Sequence, residues 1–181
     1  MKVGPWRSHG LVAVTLQRGR ILGALGDEPA AVADLLAGER ALDAAPEVEW
    51  LDDHYSIDRP KAAYFASGAM VALHRPRETI ELSAEVIAQS SEPRNRNYWP
   101  MRVANARLEW ATALAQLGQE DEALALALEG LDRQWFRPDT EQRSRALLSR
   151  MRDPRLRRQL AGELEERLAN SAHPAETQTP G

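Results

Sequence analysis

Apolar positions along this chain recur at three- and four-residue intervals almost from end to end. Leu108, Ala111, Leu114 and Ala115 follow the i, i+3, i+4, i+7 rule of an amphipathic helix, and Leu124, Leu128 and Leu131 continue it beyond a break at Gly118-Gln119. No stretch combines apolar/polar alternation with β-branched enrichment between turn residues, so no strand is predicted. Further breaks fall at Gly26-Asp27, Arg75-Pro76, Arg137-Pro138-Asp139 and Asp153-Pro154. Pro76 and Pro154 suit a first helical turn, where the missing N–H has no partner inside the helix. The pattern predicts helices over 9–25, 28–43, 58–74, 76–91, 98–117, 120–133, 139–151 and 154–168. From Ala169 the chain is polar, contains proline and loses the apolar spacing, which predicts a domain over 1–168 and a disordered tail over 169–181.

Three segments share a register. Residues 25–42 (LGDEPAAVADLLAGERAL), 73–87 (LHRPRETIELSAEVI) and 117–131 (LGQEDEALALALEGL) align on a turn at Gly26, His74 and Gly118, which are 48 and 44 residues apart. Seven residues before the turn stand small residues, Gly19, Ser67 and Ala111; four before it stand Leu22, Met70 and Leu114. Five after it come Ala31, Thr79 and Ala123, and twelve after it Gly38, Val86 and Gly130. Small side chains let two antiparallel helices approach closely, while the larger one fills the groove beside them.

This spacing resembles the tetratricopeptide repeat, a 34-residue helical hairpin with small residues at these points. The separations exceed that period by roughly ten to fourteen residues, visible as the inter-repeat stretches APEVEWLDDHYSID and SEPRNRNYWPM. The resemblance covers about 12–168 and implies an all-α solenoid of antiparallel helical hairpins, three repeats plus a capping hairpin. The runs ALHRPRETIELSAEVI and NYWPMRVANARLEWATALAQLGQEDEALALALEGL, followed by an arginine-rich close, further resemble the C-terminal repeat region of actinobacterial transcriptional regulators of the xenobiotic-response-element type. Such proteins carry an N-terminal helix-turn-helix. This chain begins where the repeats begin, so their DNA binding is not carried over, and a truncated relative or a free-standing sensor or adaptor is expected.

Composition narrows the chemistry. With 181 residues, 43% hydrophobic and a formal net charge of −4, the chain has the profile of a single soluble domain. It has no cysteine, which excludes disulfides, thiolate metal sites and thiol nucleophiles. The N-terminal apolar run from Leu11 to Leu16 is closed by Arg18 and Arg20, too short for a signal peptide or a membrane span, and a cytoplasmic location is expected. The basic residues are nearly all arginine, as GC-rich bacterial coding favours.

Within WLDDHYSID, Asp52, Asp53, His54 and Asp58 offer donors for a metal, but adjacent acids point apart on a helix, and Asp58 suits an N-cap. No metal and no cofactor are therefore expected. The arginines at 143, 145, 150, 152, 155, 157 and 158 could grip phosphates, which leaves direct DNA binding through the C-terminal helices as the alternative function. Interleaved Glu141, Asp153, Glu163, Glu165 and Glu166 point instead to a salt-bridged surface. Trp50, Trp99, Trp110, Trp135 and Phe136 either fill inter-repeat space or anchor a partner, including a second copy. The histidines at 9, 54, 74 and 173 are scattered without a nucleophile or carboxylate at a telling spacing, so no enzyme is expected. The tetratricopeptide resemblance implies a concave, peptide-receiving surface made by the first helix of each hairpin. Its inward positions fall on Leu16 and Arg20, on Lys61, Tyr64 and Gly68, and on Asn105, Leu108 and Thr112. Arg20, Lys61, Tyr64, Asn105 and Thr112 are the candidate partner-binding residues, in a non-enzymatic regulatory module that binds a protein or peptide.

Overall fold

The computed structural model describes residues 5–46, 56–94 and 98–172. Its elements are α1 (Pro5–Ala24), α2 (Glu28–Asp43), α3 (Arg59–Ala72), α4 (Pro76–Ser90), α5 (Pro100–Gln116), α6 (Glu120–Gly130), α7 (Pro138–Arg150) and α8 (Pro154–Ala172), with a short 3₁₀ turn at Arg133–Trp135 before α7. Among the described residues there is no strand. Several starts follow local chemistry: Asp27 accepts from the Ala30 N–H at 3.2 Å, and Asp58 from the Lys61 N–H at 2.6 Å. Asp58 is thus the N-cap that its spacing suggested. Asp52, Asp53, His54, Trp50 and His173 lie outside the described residues.

The three aligned turns share one backbone geometry. Gly26 and Gly118 have φ of 81° and His74 has φ of 58°, all left-handed. Behind each, the same pair of hydrogen bonds closes the helix: Asp27 N–H to Leu22 O with Gly26 N–H to Gly23 O, Arg75 to Met70 with His74 to Val71, and Gln119 to Leu114 with Gly118 to Ala115. That is the Schellman motif, which satisfies the last carbonyls of a helix at the cost of one positive φ.

The small residues sit where helices meet. Ala31, Ser67, Thr79, Ala111 and Ala123 are fully buried, and the Ser67 and Ser83 hydroxyls bond at 2.7 Å. A Cβ added at Gly38 would stand 2.5 Å from Leu16 Cδ2, and one at Gly130 would stand 2.9 Å from the Ala104 carbonyl oxygen. Residue 38 against 16, and 130 against 104 and 108, also gives the antiparallel sense of these hairpins.

α1, α3, α5 and α7 lie side by side in that order, while α2, α4 and α6 back onto them and α8 packs on α6 and α7. One apolar cluster holds α5 to α8 together, around Leu108, Leu131, Leu147 and Leu160. A second joins α1, α2 and α3 around Val12, Leu16, Leu35 and Ala69. Only Ala63, Val86 and Ala106, with their half-buried neighbours, form the cluster between them.

Three boundaries depart from the periodicity by three residues or more, the first being α1, which begins at Pro5 rather than at 9. α6 ends at Gly130 rather than at 133, because Asp132 accepts from the Gln134 N–H at 2.9 Å and starts the 3₁₀ turn. α8 runs on to Ala172, into the stretch expected to be a tail. Arg167 ties that end down by donating to the Leu131 carbonyl at 2.9 Å, and no proline intervenes before Pro174. No helix among the described residues is long and apolar enough to cross a membrane.

Candidate functional site

A cavity of about 360 Å³ opens between α1, α3, α5 and α7. Its wall repeats one register position three times: Arg20, Gly68 and Thr112 each stand six residues before their hairpin turn. From α7 come Gln142, Arg143, Ala146 and Arg150, spaced to share one helix face. Gly68 is a glycine for a spatial reason, since a Cβ there would approach Arg20 Nε to 2.9 Å and Glu109 Oε1 to 3.3 Å.

Behind the cavity lies a buried polar network. Arg143 Nε donates to Glu109 Oε1 at 2.9 Å, Arg143 Nη2 donates to the Tyr64 hydroxyl at 2.7 Å, and Asp139 is a further carboxylate partner of Arg143. The Asn105 amide donates to Tyr64 at 3.2 Å and to Asp139 Oδ2 at 2.9 Å, and accepts from Thr140 Oγ1 at 3.2 Å. Tyr64 completes the ring by donating to Asp139 at 3.3 Å. Burial alone would lower the Arg143 pKa. The attraction of Glu109, with Tyr64 and Asp139, outweighs burial and raises it. The Tyr64 phenol is pushed up to about 12, chiefly by burial; Arg143 opposes the rise, and Glu109 and Asp139 add to it. One oxygen, Glu109 Oε2, is buried without a hydrogen-bond partner.

Arg20 lies over the Tyr64 ring at 5.6 Å from its centroid, and Arg143 lies 5.4 Å from the same centroid. Among the described residues, neither Arg20 nor Arg150 makes an ion pair, although Glu109 lines the same cavity.

The sequence-derived candidates fall in three places. Arg20 and Thr112 line the cavity, although the Thr112 hydroxyl donates to the Leu108 carbonyl at 2.8 Å. Tyr64 and Asn105 belong to the network behind it, where Asn105 is only 3% exposed. Lys61 lies one turn before Tyr64 on α3, and its ammonium donates to the Ser56 carbonyl at 2.9 Å. Near it, Arg102 is buried against Asp58 at 3.2 Å with its guanidinium over the Trp99 ring at 5.2 Å, so Trp99 packs on its own domain. Trp110 packs against the larger core cluster.

Glu109 and Gln142 were not legible as site residues, and Arg143 and Arg150 were weighed only as part of a phosphate-gripping arginine run, not as lining of this cavity. Read as charges in a run, Arg143 and Arg150 look like solvated helix surface. The signal that separates them is their shared spacing with Ala146, at 143, 146 and 150, which puts all three on one face of α7. Of the other arginines in that run, Arg145 pairs with Glu141 at 2.8 Å and Arg155 with Asp121 at 3.5 Å. Among the described residues, no group of three His, Cys, Asp or Glu side chains is placed to hold a metal ion. No family model matches the chain, and neither a curated protein nor a solved structure matches it significantly.

Proposed function

We propose that this chain is a non-enzymatic, tetratricopeptide-like repeat module with a regulatory role, and that it binds an acidic protein or peptide segment in the cavity between α1, α3, α5 and α7. The observation that carries this reading is the pair of cations without carboxylate partners, Arg20 and Arg150, flanking one cavity in a chain of net charge −4. A guanidinium held on an aromatic ring is positioned before a ligand arrives, which lowers the entropy lost on binding. The arginine belongs to the repeat register and the cavity runs across several hairpins, which suits an extended segment better than a small molecule. The network behind it, anchored by Arg143 and Glu109, keeps α3, α5 and α7 at fixed spacing.

DNA binding through the arginine-rich end is less favoured, because Arg143 is buried, Arg145 and Arg155 are paired, and Arg150 faces the cavity. The test is fluorescence anisotropy with short labelled peptides rich in Asp and Glu, their lysine-rich counterparts and a DNA duplex. Acidic peptides should bind in a salt-dependent manner, and Arg20→Gln with Arg150→Gln should weaken them about tenfold or more while melting stays unchanged. Equal binding of acidic and lysine-rich peptides, or no loss in the double variant, would reject the reading; preferential binding of the duplex would favour the alternative.

A further inference from the structure

α1 turns its buried positions, Val12, Leu16 and Gly19, toward α2 and α3. Its opposite side is apolar too. Leu11 is 64% exposed, Val14 65%, Ile21 54% and, just past the helix end, Leu25 76%. With Arg18 between them, these residues follow intervals of three, four, three and four, which is the heptad seam by which two helices pack along their length. Repeat-like helical stacks need a polar outer face at each end. α8 has one, with Arg155, Arg157, Arg158, Glu165 and Glu166 exposed, whereas the outer face of α1 is aliphatic.

We infer that a second copy of this chain covers that face, with the two α1 helices antiparallel about a two-fold axis near Arg18. Alternating threes and fours form a heptad seam read from either end, so an antiparallel copy meets the same seam. Leu11 of one copy then faces Leu25 of the other, Val14 faces Ile21, and the two Arg18 side chains approach at the axis. Charge there is already balanced. Arg18 donates to its own Asp34 through two bonds, of 2.5 and 2.7 Å, so each copy brings a neutral pair whose aliphatic stem can lie along the seam. At on the order of 100 Å² of apolar surface per side chain, the four aliphatic residues supply roughly 400 Å² per copy; with a polar rim this approaches the ~600 Å² per partner of the smaller specific interfaces. The surface is distinct from the cavity, and the inference does not rest on the peptide reading.

The test is sedimentation of the whole chain over a wide concentration range. The unmodified protein should be a reversible dimer, and Ile21→Glu with Leu25→Glu should be monomeric with unchanged helicity and melting. Asp34→Asn leaves the apolar seam intact but sets two unbalanced guanidinium groups against each other, and it should weaken the dimer about tenfold. Because the chain has no cysteine of its own, crosslinking reads the orientation directly. Arg18→Cys should form a disulfide dimer, and Leu11→Cys should crosslink to Leu25→Cys but not to itself. A monomer at every concentration, a dimer that survives the double glutamate variant, or self-crosslinking of Leu11→Cys would overturn the inference.

Discussion

His74 is the one residue other than glycine with positive φ among the described positions, and it occupies a turn where both counterparts are glycine. An L side chain in that region crowds the following carbonyl, at a cost of about 1 kcal/mol, which glycine avoids. His74 is exposed, so no packing is lost with its ring. His74→Gly should therefore stabilise the fold by about 0.5–1 kcal/mol, part of the gain being offset by the freer unfolded chain. Differential scanning calorimetry should show this as a melting point about 1–4 °C higher. An unchanged or lower melting point would mean that the imidazole makes a compensating contact.

Between elements, the Arg143–Glu109–Tyr64 network binds α3, α5 and α7 through polar rather than apolar contact. Arg143→Met leaves Glu109 buried beside an apolar chain, which should cost about 3–5 kcal/mol in a urea titration. Adding Glu109→Leu should restore most of that loss, since the penalty lies in the abandoned charge. Tyr64 supplies a pH signature. Its folded pKa of about 12 lies above the roughly 10 of an unfolded tyrosine. Its contribution is thus fully present below pH ~10 and is lost as pH rises toward 12, by about 2–3 kcal/mol. Tyr64→Phe should remove that alkaline step, which denaturation midpoints at successive pH values would reveal. If the step persists in the variant, it belongs to another group.

Across the whole molecule, the apolar core divides into an N-terminal cluster around Leu16 and a C-terminal one around Leu108, bridged by Ala63, Val86 and Ala106. Small bridging side chains bury little area, so the apolar coupling between the two ends is slight and the polar network across α3, α5 and α7 carries much of the link. Leu16→Ala should cost about 2–5 kcal/mol. Hydrogen exchange read by mass spectrometry should show the lost protection concentrated in α1 to α3, with α6 to α8 nearly unchanged. Uniform loss through α8 would show one cooperative core.

Much of this was legible in the residues themselves. Helix type, the three turns and the close-approach positions follow from local rules: apolar period, left-handed backbone at a helix end, and the absence of bulk where helices touch. Gly26, His74 and Gly118 could be aligned by spacing because each meets the same backbone requirement. The inward positions that the tetratricopeptide resemblance implied included Arg20 and Thr112, two of the cavity's lining residues. Spacing could not separate them from Tyr64 and Asn105, because a partner 34 to 79 residues away decides whether an inward polar group is free or already bonded. Arg143 read as solvated surface for the same reason; it is buried because Glu109 and Tyr64 come from other helices to meet it. The outer face of α1 is likewise invisible in one dimension, since Leu11 and Val12 look alike until the fold buries one and leaves the other in water. Local chemistry determined the elements, and long-range packing decided which of their polar and apolar groups remain available to a partner.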